Sequence, residues 1–197
     1  MNNLSVVIAG VGGQGTVLLS RLIGNAALTS GQDVRGAETI GMAQRGGSVV
    51  SHVRIGADTH SPLTPSHKAD LLLAFEPGEA VRAFHLLADN AAVVALDRAV
   101  KPSVPQPFGE YDGASALAFL KENVSRLYII EQEKLFRQIS PKAANVALFG
   151  AAVGLGLLPL SIEQAKLAVR ERVPEKFLSI NLNALDVGAN YFAEVTP

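Results

Sequence analysis

The sequence predicts an α/β fold in three layers: a mostly parallel β-sheet, helices on both of its faces, and a helical C-terminal part. Two observations predict it. Up to residue 130, short apolar segments alternate with segments of helical spacing, and beyond residue 133 only helical spacing remains, which is typical of a parallel sheet covered by helices. The chain has 197 residues, 48% of them hydrophobic, enough to bury about 70% of the surface that the unfolded chain exposes. We therefore expect one domain over residues 1–197.

The first predicted unit is a strand, a glycine-rich turn and a helix. Residues 4–9 are apolar and lead into a glycine, as expected of a strand that is buried on both faces. Helical spacing begins at Thr16 and stops near Gly31. Prolines place residues 60–67 in a loop. Three further segments are predicted to be strands: residues 33–38, residues 47–55 with polar Ser48, Ser51 and Arg54, and residues 70–75, which are mostly apolar.

The second half of the chain alternates again before it becomes helical. The predicted elements are, in order, a helix, a strand, an extended proline-rich connection, a helix and a strand, over residues 77–88, 91–96, 101–109, 115–123 and 126–130. From Glu133 onward we expect helices. Ser161 and Gln164 form a capping box before the helix over 165–172, and Pro174 begins the last helix.

One uncharged stretch, residues 143–160, approaches the about 20 residues that a membrane-spanning helix needs. Its glycines, its Pro159 and the absence of a flanking Lys or Arg cluster favour a helix buried inside the domain. The N-terminus has no basic start and only a short apolar segment, unlike a secretory signal. We therefore expect a cytoplasmic protein that does not enter a membrane.

Composition excludes several chemistries. The chain has no cysteine, which excludes disulfides, a thiolate nucleophile and a cysteine-ligated iron–sulfur cluster. The four histidines lack the close spacing of a metal site, so no metal is expected. A net charge of −1 gives no indication of nucleic-acid or membrane-surface binding. Charged residues make up only 18%, below the about 25% of soluble domains, which predicts a surface covered by a partner chain, or a homodimer in its absence.

The first glycine motif follows the first strand. Gly10, Gly12 and Gly15 satisfy G-x-G-x-x-G between a strand and a helix, where glycines allow a tight turn and an anion can approach the amides at the helix N-terminus. Glu38 lies about twenty residues further on, where the dinucleotide fingerprint places an acid that binds a ribose. The motif alone leaves two alternatives open, a nucleotide site and a tight turn used only for packing.

An autonomous Rossmann-type protein is the alternative that follows from this motif. Against it, no second substrate-binding region follows the strands, and no acid–base set is evident. The nearest titratable candidates, Glu38, His52 and Asp97, come from separate predicted elements, and we expect each to be structural. No residue is predicted to be catalytic.

The second glycine motif is rarer. Residues 41–54 read GMAQRGGSVVSHVR. Together with Gly12-Gly13-Gln14-Gly15 they resemble the gamma component of 2-oxoacid:ferredoxin oxidoreductases. The sequence of residues 41–44 favours the small (beta) subunit of the indolepyruvate branch. The resemblance continues in residues 145–150 and 181–188, so that it covers nearly the whole chain.

The resemblance implies a fold and a role. The fold is that of the gamma domain of pyruvate:ferredoxin oxidoreductase. In such enzymes a 2-oxoacid is decarboxylated on thiamine diphosphate, electrons pass through [4Fe–4S] clusters to ferredoxin, and coenzyme A takes the acyl group. The thiamine signature and the cluster cysteines are missing here, so both cofactors are expected on larger partner subunits. The chain alone is expected to be inactive. Arylpyruvates are the expected substrates, with 2-oxoglutarate, pyruvate and branched-chain oxoacids left open.

Two roles remain open for the glycine segments. In the first, the amides around Gly12–Gly15 and the guanidinium of Arg45 hold the phosphates of coenzyme A. In the second, both segments only pack against the partner. For the chain as a whole, a non-catalytic interaction module is a further alternative. Gln14, Gln44 and His52 are candidates for that interface. The candidate cofactor-binding residues are Gly10, Gly12, Gly13, Gln14, Gly15, Arg45, Gly46, Gly47 and Ser48.

Overall fold

A computed structural model describes residues 3–38, 47–100 and 111–193. Six strands form one sheet: β1 Leu4–Val11, β2 Val34–Glu38, β3 Ser48–Ile55, β4 Ala69–Ala74, β5 Leu87–Leu96 and β6 Arg126–Ile130. The α-helices are α1 Thr16–Thr29, α2 Pro77–Ala83, α3 Gly113–Asn123, α4 Gln132–Phe136, α5 Ala144–Gly154, α6 Ile162–Arg172 and α7 Glu175–Asn190. Short 3₁₀ turns occupy Phe84–Leu86 and Pro141–Ala143.

The strand order is β2-β3-β1-β4-β5-β6. The pairs β1–β4, β4–β5 and β5–β6 are parallel. β3 is antiparallel to both of its neighbours, β1 and β2. The sheet is therefore mostly parallel, as predicted, but an antiparallel strand separates β1 from β2.

Alternate residues of the central strands feed two apolar layers. On one face, Val6 and Ile8 of β1 pack in a cluster with residues of α1, α5, α6 and α7. On the other face, Val7 and Ala9 pack with residues of α2 and α3. Burying each large aliphatic side chain stabilises the fold by about 1.5–3 kcal/mol. This two-sided burial explains why the strands read as continuous apolar runs, and it produces the predicted three layers.

Helix α5 is buried almost completely, as predicted for the uncharged stretch. It packs backbone to backbone on α7. A Cβ added at Gly150 would collide with the carbonyl oxygen of Leu185, and one at Gly188 with that of Ala147. The glycines of this segment therefore serve close helix packing. Among the described residues, no helix is both long and apolar enough to cross a membrane.

Several predicted boundaries differ from the structure; β5, for example, begins at Leu87 rather than at residue 91, and α6 at Ile162 rather than at residue 165. The helix predicted to reach residue 88 ends at Ala83, because Leu87 pairs with Ala69 of β4 and must be extended. β1 continues beyond Ala9 to Val11, because Gly10 and Val11 pair with Val49 and Ser48. The capping box of Ser161 and Gln164 is present as predicted. The predicted extended connection over 101–109 lies outside the described residues.

Candidate functional site

A cleft of about 430 Å³ opens at the carboxyl ends of β1, β4 and β5. β1 leads into α1 on one face of the sheet, and β4 leads into α2 on the other face. The chain therefore leaves two adjacent parallel strands in opposite directions at this point, which is where α/β sheets bind ligands. The cleft is lined by the glycine loop after β1, by residues that follow β4 and β5, and by the turn before α5.

The glycine loop contains two residues in the left-handed region. Gly13 has a φ of 94° and Gly15 a φ of 89°, which residues with a Cβ rarely adopt. A Cβ at Gly15 would lie 2.6 Å from Nδ2 of Asn145 at the start of α5, whereas a Cβ at Gly13 would meet nothing within 4 Å. Gly15 is therefore needed for packing, while Gly13 faces open space in the cleft.

Gln14 and Gly10 shape the turn from within. Oε1 of Gln14 accepts a hydrogen bond from Val11 N–H at 2.7 Å, and the Gln14 N–H donates to the Val11 carbonyl at 3.1 Å. A Cβ at Gly10 would lie 2.7 Å from that same Oε1. The side-chain oxygen of Gln14 is thus engaged inside the loop, and Gly10 makes room for it.

The N-terminus of α1, which follows the glycine loop, has no side-chain cap. Its N-cap is Gly15, which provides no side-chain acceptor, and no acidic residue lies in the first turn. The first N–H groups of a helix need acceptors, and its dipole favours an anion there. This end of α1 suits an anionic group.

The two glycine motifs are adjacent in the structure. Gly12 N–H donates to the Gly47 carbonyl at 2.9 Å, and Ser48 faces Val11 in the β1–β3 register. Both motifs were predicted to belong to one site, and their described parts do meet. Arg45 and Gly46, also predicted for that site, lie outside the described residues.

Two cationic residues that were not among the predicted site residues also line the cleft. Arg98 follows β5, and Lys142 lies in the 3₁₀ turn before α5. The guanidinium of Arg98 lies 6.0 Å from the ring centroid of Phe136. Within the described parts of the chain, no ion pair joins either cation to a carboxylate. The available signal was their position, since a basic residue just after a parallel strand or just before a helix lies at the carboxyl edge of the sheet.

The titratable candidates Glu38, His52 and Asp97 do not form a set. Glu38 accepts from the Ser20 hydroxyl at 3.3 Å and lies 3.6 Å from the Arg21 guanidinium. Asp97 accepts from Gln132 N–H at 2.7 Å. His52 is buried, and its Nδ1 lies 3.4 Å from the Thr64 N–H. Burial lowers the pKa of His52, which favours the neutral form of the ring.

The strand order also weakens the dinucleotide alternative. That alternative needs the acid at the end of β2 to lie beside the glycine loop of β1, as it does where β2 neighbours β1. Here β3 lies between them, which moves Glu38 two strand spacings, about 9.5 Å, from β1.

The chain is similar over nearly its whole length to known oxidoreductase proteins. The sequence matches the family described as "Pyruvate ferredoxin/flavodoxin oxidoreductase" over residues 5–191. It is 38% identical over 190 residues to indolepyruvate oxidoreductase subunit IorB of Archaeoglobus fulgidus, which covers 95% of this chain and 94% of that protein.

Two solved structures share the fold. The gamma subunit of a keto/oxoacid ferredoxin oxidoreductase from Geobacter sulfurreducens PCA is 22% identical with a TM-score of 0.69, over 96% of each chain. A 2-oxoglutarate:ferredoxin oxidoreductase from Magnetococcus marinus, solved with 2-oxoglutarate, coenzyme A and succinyl-CoA bound, is 20% identical with a TM-score of 0.71. It matches 100% of this chain within 32% of its own chain. These likenesses confirm the predicted gamma-type fold.

Proposed function

Since this chain belongs to the pyruvate ferredoxin/flavodoxin oxidoreductase family, we propose that it is the small subunit of an enzyme that oxidises indolepyruvate and related arylpyruvates. The observation that carries the proposal is the end-to-end likeness to an indolepyruvate oxidoreductase subunit, 38% identical over 95% of the chain. The reaction is an oxidative decarboxylation in which ferredoxin accepts the electrons and coenzyme A accepts the acyl group.

We propose that the cleft at the glycine loop holds phosphate groups of coenzyme A. The residues present fit such a group: Gly13 leaves open space, α1 presents its N-terminal amides, and Arg98 and Lys142 contribute positive charge. Arginine and lysine both bind phosphate strongly, and arginine can do so through two parallel hydrogen bonds. Arg45, two residues before Gly47 in the sequence, is proposed to add a third cation. When bound, coenzyme A supplies the thiol that accepts the acyl group.

The remaining cofactors belong to partner subunits in this proposal. The chain has no cysteine with which to ligate a [4Fe–4S] cluster. The thiamine diphosphate and the clusters are therefore proposed to lie on a larger subunit, which also passes electrons to ferredoxin. The alternative role, in which the glycine segments only pack against that subunit, predicts that altering the cleft changes assembly and leaves the affinity for coenzyme A unchanged.

The direct test is anaerobic purification of the tagged chain from its native host. We expect it to bring down a larger, brown, thiamine-containing subunit, and the complex to reduce a viologen dye with indolepyruvate and coenzyme A. A panel of pyruvate, 2-oxoglutarate and branched-chain oxoacids identifies the preferred substrate. A colourless chain that purifies alone and binds NAD would overturn the proposal in favour of the dinucleotide alternative.

A further inference from the structure

The first turn of α2 contains two buried carboxylates that do not line the cleft. Glu76 is 2% exposed and Glu79 is 7% exposed. Glu76 is the N-cap of α2, and its Oε2 accepts from Glu79 N–H at 2.9 Å. Because buried charges are costly, and apolar replacements of buried ionic groups are often no less stable, stability alone does not account for this pair.

Glu79 is connected to one wall of the cleft. Its Oε2 accepts a hydrogen bond from the Ser48 hydroxyl, and its Oε1 lies 3.3 Å from Nε of Arg82. Ser48 directly follows Gly47, whose carbonyl accepts the N–H of Gly12. A continuous series of contacts thus leads from Glu79 to the glycine loop.

Glu76 is connected to the opposite wall. Its Oε1 accepts a hydrogen bond from the Tyr111 hydroxyl and another, at 3.5 Å, from the N–H of Val100, which lines the cleft. The oxygen of Tyr111 in turn accepts from Gly78 N–H at 2.9 Å. A single helical turn therefore anchors both the Gly47 side and the Val100 side of the cleft.

We propose that Glu76 and Glu79 are positioning residues that hold these two walls at the separation required to bind the anionic group of coenzyme A. The inference rests on the function proposed above for the cleft. Neither carboxylate touches the ligand. Each carboxylate is contacted by more than one donor. A carboxylate that accepts hydrogen bonds from two chain segments fixes the relative position of those segments more closely than apolar contact does. The pair acts through Ser48 on one side and through Val100 and Tyr111 on the other.

The test is a double-mutant cycle between Ser48 and Glu79 in the reconstituted complex. We expect Ser48→Ala and Glu79→Ala each to raise the KM for coenzyme A about tenfold, with no further rise when the two are combined, because coupled residues are not additive. The KM for the 2-oxoacid stays at its wild-type value. Glu79→Gln, which keeps an acceptor for Ser48, restores most of the affinity. Glu163→Gln is the control, since that exposed carboxylate pairs with Lys166 on α6, far along the chain from the cleft.

Four outcomes would overturn the inference. If the effects of Ser48→Ala and Glu79→Ala add, Ser48 contacts the ligand independently of Glu79. If both variants lower only the melting temperature, the pair has a purely structural role. The Arg98→Ala variant tests the cleft itself: an unchanged KM for coenzyme A in this variant removes the coenzyme A role proposed for the cleft, and the positioning role with it. A raised KM in Arg98→Ala with unchanged values in the Glu79 variants removes the positioning role alone.

Discussion

Gly12 and Gly47 are joined by a backbone hydrogen bond of 2.9 Å, with the Gly12 N–H donating to the Gly47 carbonyl. The two residues belong to different glycine motifs, one after β1 and the other just before β3. Because the strands that carry them pair in register from Leu4–Ile55 to Val11–Ser48, the motifs meet at the same edge of the sheet. A ligand bound at the first motif therefore lies beside the second.

Gly13→Ala, compared with Gly31→Ala, separates a ligand effect from backbone strain. Both glycines have positive φ, 94° and 78°, and at both an added Cβ would meet nothing within 4 Å. Each variant should lose about 1–2 kcal/mol of stability because L-residues disfavour this conformation. Of these two glycines, only Gly13 lines the cleft. Only Gly13→Ala should therefore raise the KM for coenzyme A in the assembled enzyme. Equal KM values in the two variants would assign Gly13 to the turn alone.

Replacing Arg98 or Lys142 with Ala should weaken binding of coenzyme A while leaving the KM for the 2-oxoacid unchanged. The loss of affinity for coenzyme A should become smaller as the salt concentration is raised from about 0.01 M to about 0.15 M, because the Debye length falls from about 30 Å to about 8 Å. Arg126→Ala is the matched control. Arg126 lies at the amino end of β6 and donates to the Asn90 carbonyl at 3.3 Å, so it belongs to the opposite edge of the sheet. An equally large loss of affinity for coenzyme A in Arg126→Ala would indicate a general effect of net charge.

Local pattern was sufficient to predict the layered fold. The central strands are apolar at nearly every interior position because both faces are covered, and α5 is apolar on nearly all sides because it is buried. Neither feature depends on distant residues. The end of α2 was predicted too late because Leu87 is held extended by its partner Ala69, a contact that periodicity within the segment does not reveal.

The candidate site was predictable only where glycines marked it. G-x-G-x-x-G identified the loop, but the antiparallel β3 between β1 and β2 is a long-range pairing with no local signal. Arg98 and Lys142 each have a local signal in their position at the end of an element, but they are 44 positions apart in the sequence, and no local pattern shows that they line one cleft. The hydrogen bond between Tyr111 and Glu76 spans 35 positions. Such convergence is created by the strand order, so the polar part of the site emerges only once the sheet is assembled.

Gly188→Ala should destabilise the chain by about 3 kcal/mol, because its Cβ would collide with the Ala147 carbonyl where α7 packs on α5. Gly24→Ala is the opposite case. Its Cβ would lie 3.6 Å from Cγ1 of Val34, an ordinary contact, within α1. There the change should stabilise the chain by about 0.5–1 kcal/mol through helix propensity. Urea unfolding of the full chain measures both. A loss of stability in Gly24→Ala as well would contradict the expectation that α1 has room for a methyl group at this position.

His52 should make the stability of the chain depend on pH in the mildly acidic range. Burial lowers the pKa of His52, so below the ordinary value of about 6.5 the unfolded chain binds a proton that the folded chain does not. Stability is therefore full above pH 6.5 and decreases as the pH falls from there toward the folded-state pKa. Protonation would also place a second donor at Nδ1, opposite the N–H of Thr64.

His52→Asn keeps an acceptor near the Thr64 N–H but cannot titrate. Its melting temperature should fall less between pH 7.5 and pH 5.5 than that of the wild type. The wild type, measured at the same two pH values, gives the reference slope. An unchanged slope in His52→Asn would mean that the ring is as readily protonated in the folded chain as in the unfolded one.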